Sequence, residues 1–139
     1  MYNHIMLAVD GSEHSLRATQ HGIYLASMQP QCTIEVVFVA DFDKAKSEVL
    51  HAGFGEQLQV TRRKRLEPIE DLLKQHSLAY KVHILHGEPA PTVVQFANQH
   101  EVDLVIIGSR GLNALQEMVL GSVSHKVVKR ANCPVLVVK

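Results

Sequence analysis

The chain has 139 residues, 46% of them hydrophobic and 20% charged, which suits one soluble domain, residues 1–139, with a sizeable core. Fourteen Lys and Arg balance fourteen Asp and Glu, so a broad electrostatic grip on nucleic acid or anionic lipid is not indicated. No apolar run approaches the roughly 18 residues of a membrane span. The two cysteines, Cys32 and Cys133, form no CxxC pair and point to a reducing, cytoplasmic compartment.

Ile5 to Val9 is a short apolar run and is expected to be a buried strand; MYNHIMLAVD lacks the basic start of a signal peptide. Ser12 can cap a helix running to about Met28, with Leu16, Ile23, Leu25 and Ala26 among its apolar positions and Pro30 closing it. Thr33 to Ala40, rich in β-branched residues, is a second strand. Asp41 to about Gln57 is polar and holds Gly53 and Gly55, which suggests a helix start and then a flexible break. Leu58 to Gln75 repeats Leu66, Ile69, Leu72 and Leu73 at helical spacing, and Pro68 within it predicts a kink or a restart. The basic run Arg62-Arg63-Lys64-Arg65 is expected to be a solvated helix face.

Tyr80 to Leu85 is a third strand. His83 and His86, three apart on it, should face opposite sides. The nine histidines are dispersed without metal-ligand spacing. After Gly87-Glu88-Pro89 comes a helix through Val93, Val94, Phe96 and Ala97. Asp103 to Ile107 is a fourth strand, Ser122 to about Ala131 a helix, and Pro134 to Val138 a fifth strand.

This alternation implies an α/β fold: a three-layer sandwich, with a five-stranded parallel sheet and helices on both faces. Right-handed crossovers leave few topologies. The expected order is 3-2-1-4-5. Ligands of such sheets bind past the strand carboxyl ends, where the strand order reverses, which places Asp10 beside the loop after Gly108.

That loop carries the strongest chemical signal. Gly108, Gly111 and Gly121 leave room for backbone N–H groups to approach a ligand. Ser122 can cap the next helix at its positive end, and a glycine-bearing loop feeding a helix is a ready phosphate site. Arg110 could hold a phosphate or cover the loop. The connection is long, yet Leu112, Leu115, Met118 and Val119 let it pack down. No packing role accounts for the glycine–serine set. The P-loop GxxxxGK[ST], the dinucleotide GxGxxG, the zinc-deaminase signature and the GxSxG elbow are all missing from the sequence.

Gly108-x2-Gly111-x9-Gly121-Ser122 resembles the motif of the universal stress proteins, specifically their ATP-binding branch. The resemblance extends to Asp10-Gly11-Ser12-Glu13, to Val105 through Gly111, and to Cys133-Pro134-Val135-Leu136-Val137-Val138. It implies a Rossmann-like fold of the adenine nucleotide α-hydrolase type, with ATP as ligand and Mg²⁺ alongside. Gly108 and Gly111 would then lie against ribose and phosphates, with Ile107 and Gly108 on the ribose side. Gly121, Ser122 and Val123 would cradle the triphosphate. Asp10 would approach the nucleoside or its metal, Ala8 stands where the family often has proline, and Val39 would contact adenine.

The resulting expectation is a small cytoplasmic regulator of the stress response that switches with its nucleotide. No catalytic base and lysine set is evident, so turnover should be weak at most, with Ser122 or Ser124 as conceivable phosphoacceptors. A slow ATP-hydrolysing or adenylating enzyme and a nucleotide-free interaction module are the alternatives. The fifth strand, apolar on both faces and at the sheet edge, invites a homodimer, as the resemblance also implies.

Overall fold

The computed structural model describes residues 1–40, 55–109 and 121–139, with the backbone alone at 55–59. Five strands alternate with helices: β1 (His4–Val9), α1 (Glu13–Ser27), β2 (Thr33–Ala40), α2 (Gly55–Gln75), β3 (Ala79–His86), α3 (Pro89–Gln99), β4 (Leu104–Gly108), α4 (Ser122–Arg130) and β5 (Val135–Val138). The sheet order is β3-β2-β1-β4-β5 and every pairing is parallel, as expected from the alternation.

The strands read as unbroken apolar runs because both faces are covered. Successive side chains point to opposite sides, so each strand feeds two cores. Ile5, Leu7, Ile34, Val36 and Ile106 pack beneath α1 and α2 with Leu66, Ile69 and Leu73. Met6, Ala8, Val37, Val105 and Ile107 pack beneath α3 and α4 with Val93, Phe96 and Val127. Cys32 is buried and Cys133 half-buried, both as free thiols. Burial pushes both thiols up from their ordinary range, and the Asp103 carboxylate adds to it. Two strands, β1 and β4, separate β2 from β5.

Three expectations change. α2 is one helix from Gly55 to Gln75 with Pro68 inside it, so no restart occurs there. Pro68 has no N–H to give the Lys64 carbonyl, but both residues are exposed and water can serve that carbonyl. The basic run is not a solvated face: Arg62 is 1% exposed and its Nη1 lies 3.5 Å from His86 Nδ1. Arg63 reaches Glu70 at 3.1 Å, and only Arg63 and Lys64 are exposed. The third strand is longer than expected, Ala79–His86. The region expected to hold a helix start and break lies outside the described residues up to 54, and residues 55–57 belong to α2. His83 and His86 do face opposite sides: His83 meets Phe96 of α3 and His86 meets Arg62 of α2.

Candidate functional site

The register brings the expected site residues to one edge. Ala8 of β1 pairs with Ile107 of β4, and Ala8 pairs on its other side with Val37 of β2. β1 ends with Val9 paired to Phe38, so Asp10 follows β1 where Val39 follows Phe38 in β2. Ala8, Val39, Ile107 and Val123 all belong to the apolar cluster under α3 and α4. The site edge therefore has an apolar floor, a carboxylate from Asp10 and the first turn of α4. Arg110 and Gly111 lie outside the described residues.

The Asp10 turn is built by short polar side chains. Gly11 has φ +83°, a conformation that a side chain resists. The Asp10 Oδ1 accepts the Ser12 N–H at 2.9 Å and the Ser15 hydroxyl at 2.7 Å. Ser15 Oγ in turn accepts the Asp10 N–H at 2.9 Å. Ser12 Oγ caps α1 by accepting the Ser15 N–H at 3.3 Å. Asp10 thus holds the turn that follows β1. Arg65 of α2 packs across this loop: a Cβ on Gly11 would come 3.3 Å from Arg65 Cβ.

Gly108 has a packing role that the sequence did not suggest. A Cβ there would lie 2.7 Å from His14 Cβ and 3.1 Å from the His14 carbonyl carbon. The glycine lets the first turn of α1 close onto the end of β4. His14 is in turn contacted by Arg17 Nη2 at 3.1 Å, while Arg17 Nε donates to the Lys139 carbonyl at 2.9 Å.

The connection from β4 to α4 is closed at its neck. The Ser109 N–H donates to the Val138 carbonyl at 2.7 Å, and the Ser109 carbonyl accepts the Gly121 N–H at 2.5 Å. The Ser124 hydroxyl, 2% exposed, is shared between the carbonyls of Ser109 at 3.0 Å and Gly121 at 3.1 Å. Two expectations are corrected here. The cap of α4 is Gly121, with φ −67° and ψ 160°, and Ser122 is the first helical residue. The Gly121 amide is already used within the neck, so the unpaired amides of this helix start belong to the first turn beginning at Ser122. Of the two serines considered as phosphoacceptors, Ser122 is exposed, whereas Ser124 is buried with its hydroxyl engaged.

Sequence reasoning missed Ser15, Ser109, His14 and Arg65. Their roles come from tertiary approach, and the only local hint was the Asp-Gly-Ser turn. Among the described residues, no helix is long and apolar enough to cross a membrane.

A five-stranded parallel sheet of order 3-2-1-4-5 with helices on both faces defines a Rossmann-like α/β protein, a class whose ligands sit past the strand carboxyl ends where the strand order reverses. The family model described as the universal stress protein family matches residues 1–139, and the chain belongs to that family. It is 33% identical to universal stress protein MJ0531 of Methanocaldococcus jannaschii, across 100% of this chain and 83% of the relative. Its structure is similar to the solved structure of MJ0577, from the same organism, with a TM-score of 0.88 and 31% identity; 100% of this chain and 96% of that one are covered. Two more distant structures share the fold. A universal stress protein in complex with cAMP has a TM-score of 0.72 at 22% identity, covering 99% of this chain and 96% of the other. One from Arabidopsis thaliana with AMP bound has a TM-score of 0.71 at 20% identity, covering 99% and 91%.

Proposed function

We propose that residues 1–139 form a single domain that binds ATP in the crevice between the ends of β1 and β4 and acts as a nucleotide-dependent regulator in the cytoplasm. The observation that carries this reading is the junction of strand ends and helix start. There Gly108, which opens the Gly-x2-Gly-x9-Gly-Ser sequence motif, closes onto His14 of α1, the helix that follows the Asp10 turn. The donor set fits an adenine nucleotide. Amides of the first turn of α4 would take phosphate oxygens; Ala8, Val39, Ile107 and Val123 would take the apolar base and sugar faces. Arg110 and Gly111 complete the motif. Asp10, whose side-chain hydrogen bonds among the described residues fall on Oδ1, would turn Oδ2 to a ribose hydroxyl or to Mg²⁺ arriving with the nucleotide. Relatives described with AMP and with cAMP support a nucleotide of the adenine class.

Calorimetry with ATP, AMP and cAMP tests the reading. ATP should bind the wild-type protein, and Gly121→Val should weaken it by about a hundredfold, a branched Cβ crowding the approach to the α4 amides. The fold should persist, because any residue adopts the extended backbone at this position. Equal ATP affinity in the folded variant would end the proposal. No binding of ATP to the wild type, with AMP or cAMP binding instead, would move the assignment to that nucleotide.

The same reading includes a homodimer through β5, whose outer side is a sheet edge. Light scattering at tens of micromolar should find a dimer, and Val137→Lys should yield monomers. A monomeric wild type would rule this assembly out.

A further inference from the structure

The Asp10 side chain is held from behind by a residue of α1. Ser15, in the first turn of that helix, is 3% exposed. Its hydroxyl donates to Asp10 Oδ1 at 2.7 Å and accepts the Asp10 N–H at 2.9 Å. These two bonds close a small ring through the nitrogen, Cα, Cβ and carboxyl group of Asp10. Rotation about the Cα–Cβ bond would carry Oδ1 away from Ser15, so the ring fixes χ1 of Asp10. Oδ1 also accepts the Ser12 N–H at 2.9 Å, and the Ser12 hydroxyl donates to Ser15 Oγ at 3.4 Å.

Helix α1 does not need the Ser15 hydroxyl for its own start. Its cap is Ser12, which takes the Ser15 amide at 3.3 Å and not the Ser15 side chain. Ser15 lies on the buried side of the helix with Ala18, Thr19 and Gly22. An alanine there would bury no polar group, whereas a buried hydroxyl costs stability unless it is hydrogen-bonded. Among the described residues, its partners are Asp10 and Ser12.

A second carboxylate shows what is particular about Asp10. Glu35 of β2 has an imidazole at each oxygen: His4 Nε2 lies 3.0 Å from Oε1 and His83 Nε2 lies 2.5 Å from Oε2. Asp10 instead has both of its side-chain bonds, among the described residues, on Oδ1. It is half-buried, and Oδ2 keeps its capacity to accept. One acceptor atom fixed in direction is a feature that a hydroxyl hydrogen uses and a hydrated cation does not require.

We propose that Ser15 is the positioning residue of the crevice: it fixes the Asp10 carboxylate by Oδ1, so that Oδ2 is offered to a sugar hydroxyl of the bound nucleotide. This role rests on the nucleotide reading given above and deepens it, since the site then favours ribonucleotides over nucleotides whose sugar lacks its hydroxyls. Ser15 does not touch the ligand and acts through Asp10. A carboxylate already in its binding conformation loses no rotamer freedom when the ligand arrives, and the saving appears as affinity.

Calorimetry on the full chain without Mg²⁺, using ATP and 2′,3′-dideoxy-ATP, tests the role. Ser15→Ala should weaken ATP by about tenfold and leave dideoxy-ATP within about twofold of the wild type. In an Asp10→Ala background the same substitution should change ATP affinity by less than about twofold, because residues of one network do not act additively. A merely structural Ser15 would weaken both nucleotides alike, or add its loss to that of Asp10→Ala. Either result would overturn the proposal, as would undiminished ATP affinity in folded Ser15→Ala. A loss seen only when the titration is repeated with Mg²⁺ would put the cation at Oδ2 and overturn it too. A wild type that binds no ATP would remove the nucleotide reading itself, and this role with it. A second measurement needs no variant. Three-bond couplings of the Asp10 β protons in the nucleotide-free wild type should report one χ1 rotamer, kept when ATP is added. Averaging among rotamers in the free protein would overturn the positioning role even if Ser15→Ala failed to fold.

Discussion

The carboxyl edge of the sheet and the strand stretch around Glu35 are held together by different parts of the chain. At the carboxyl edge the ties are mainly backbone: Ser109 N–H to Val138, Gly121 N–H to Ser109, and Gly108 pressed against His14. Around Glu35 they are side chains from three neighbouring strands. Backbone ties need glycine or short polar residues at fixed places, and they leave the amides of a helix start open to a ligand. Side-chain ties consume their own donors and acceptors. The first arrangement depends on the residue types at the strand ends, and the second holds strands in register through groups far apart in the chain.

Substitution should separate the two regions. The largest effect is expected at Gly108→Val, since a Cβ there already meets His14 at 2.7 Å. The α1 turn must move away from β4, at a cost of about 2–3 kcal/mol by analogy with overpacked cores. Chemical denaturation would measure it. A loss below about 0.5 kcal/mol would mean that the α1 contact yields freely and that the carboxyl edge is less tightly closed than described.

A smaller effect should come from acidification below the histidine range. Burial raises the Glu35 carboxyl, but hydrogen bonds and charge from His83 and His4 outweigh it, leaving the group below its ordinary value of 4.5. A lowered carboxyl stabilises the fold above its unfolded value and loses that contribution as pH falls through the folded one. Wild-type stability should therefore drop as the solution is acidified below pH 4.5. Glu35→Gln should lack that part of the drop. Parallel acid limbs for the two proteins would show that protonation of Glu35 is not linked to unfolding, against the lowered carboxyl. Smallest of all, Ser12→Ala should cost about 1 kcal/mol through the lost cap of α1. Thermal unfolding measures that change, and it should leave the pH dependence around Glu35 unmoved.

The same contrast explains which features could be read from the sequence. Strand positions and the alternation were legible because parallel strands covered on both faces are apolar runs, as in Leu104-Val105-Ile106-Ile107. The carboxyl edge was legible because its backbone chemistry demands glycine and serine. The close approach of Gly108 to His14 was not, since it depends on how α1 lies across β4. Nor was the burial of Arg62, because a run of four cations looks like a solvated face until the helix is docked. Ser122 was one residue from the true cap because serine suits either position, and the neck fixed the choice by using the Gly121 amide. The Glu35 network was hidden altogether. Its partners stand 31 and 48 residues away in the chain, and only the strand register puts them together. Pro68 restarts no helix because its missing N–H falls where Pro68 and Lys64 are both exposed.

The neck at Ser109 and Gly121 has a consequence for how this chain can be altered. The two ends of the 110–120 connection are pinned to each other through a single peptide-to-peptide hydrogen bond and the Ser124 hydroxyl. The chain that leaves Ser109 must return to the same point at Gly121. The entropic cost of a longer ring grows only as the logarithm of its length. The place where β4 hands over to α4 is thus set by the neck, and closing a longer ring there would add little entropic cost.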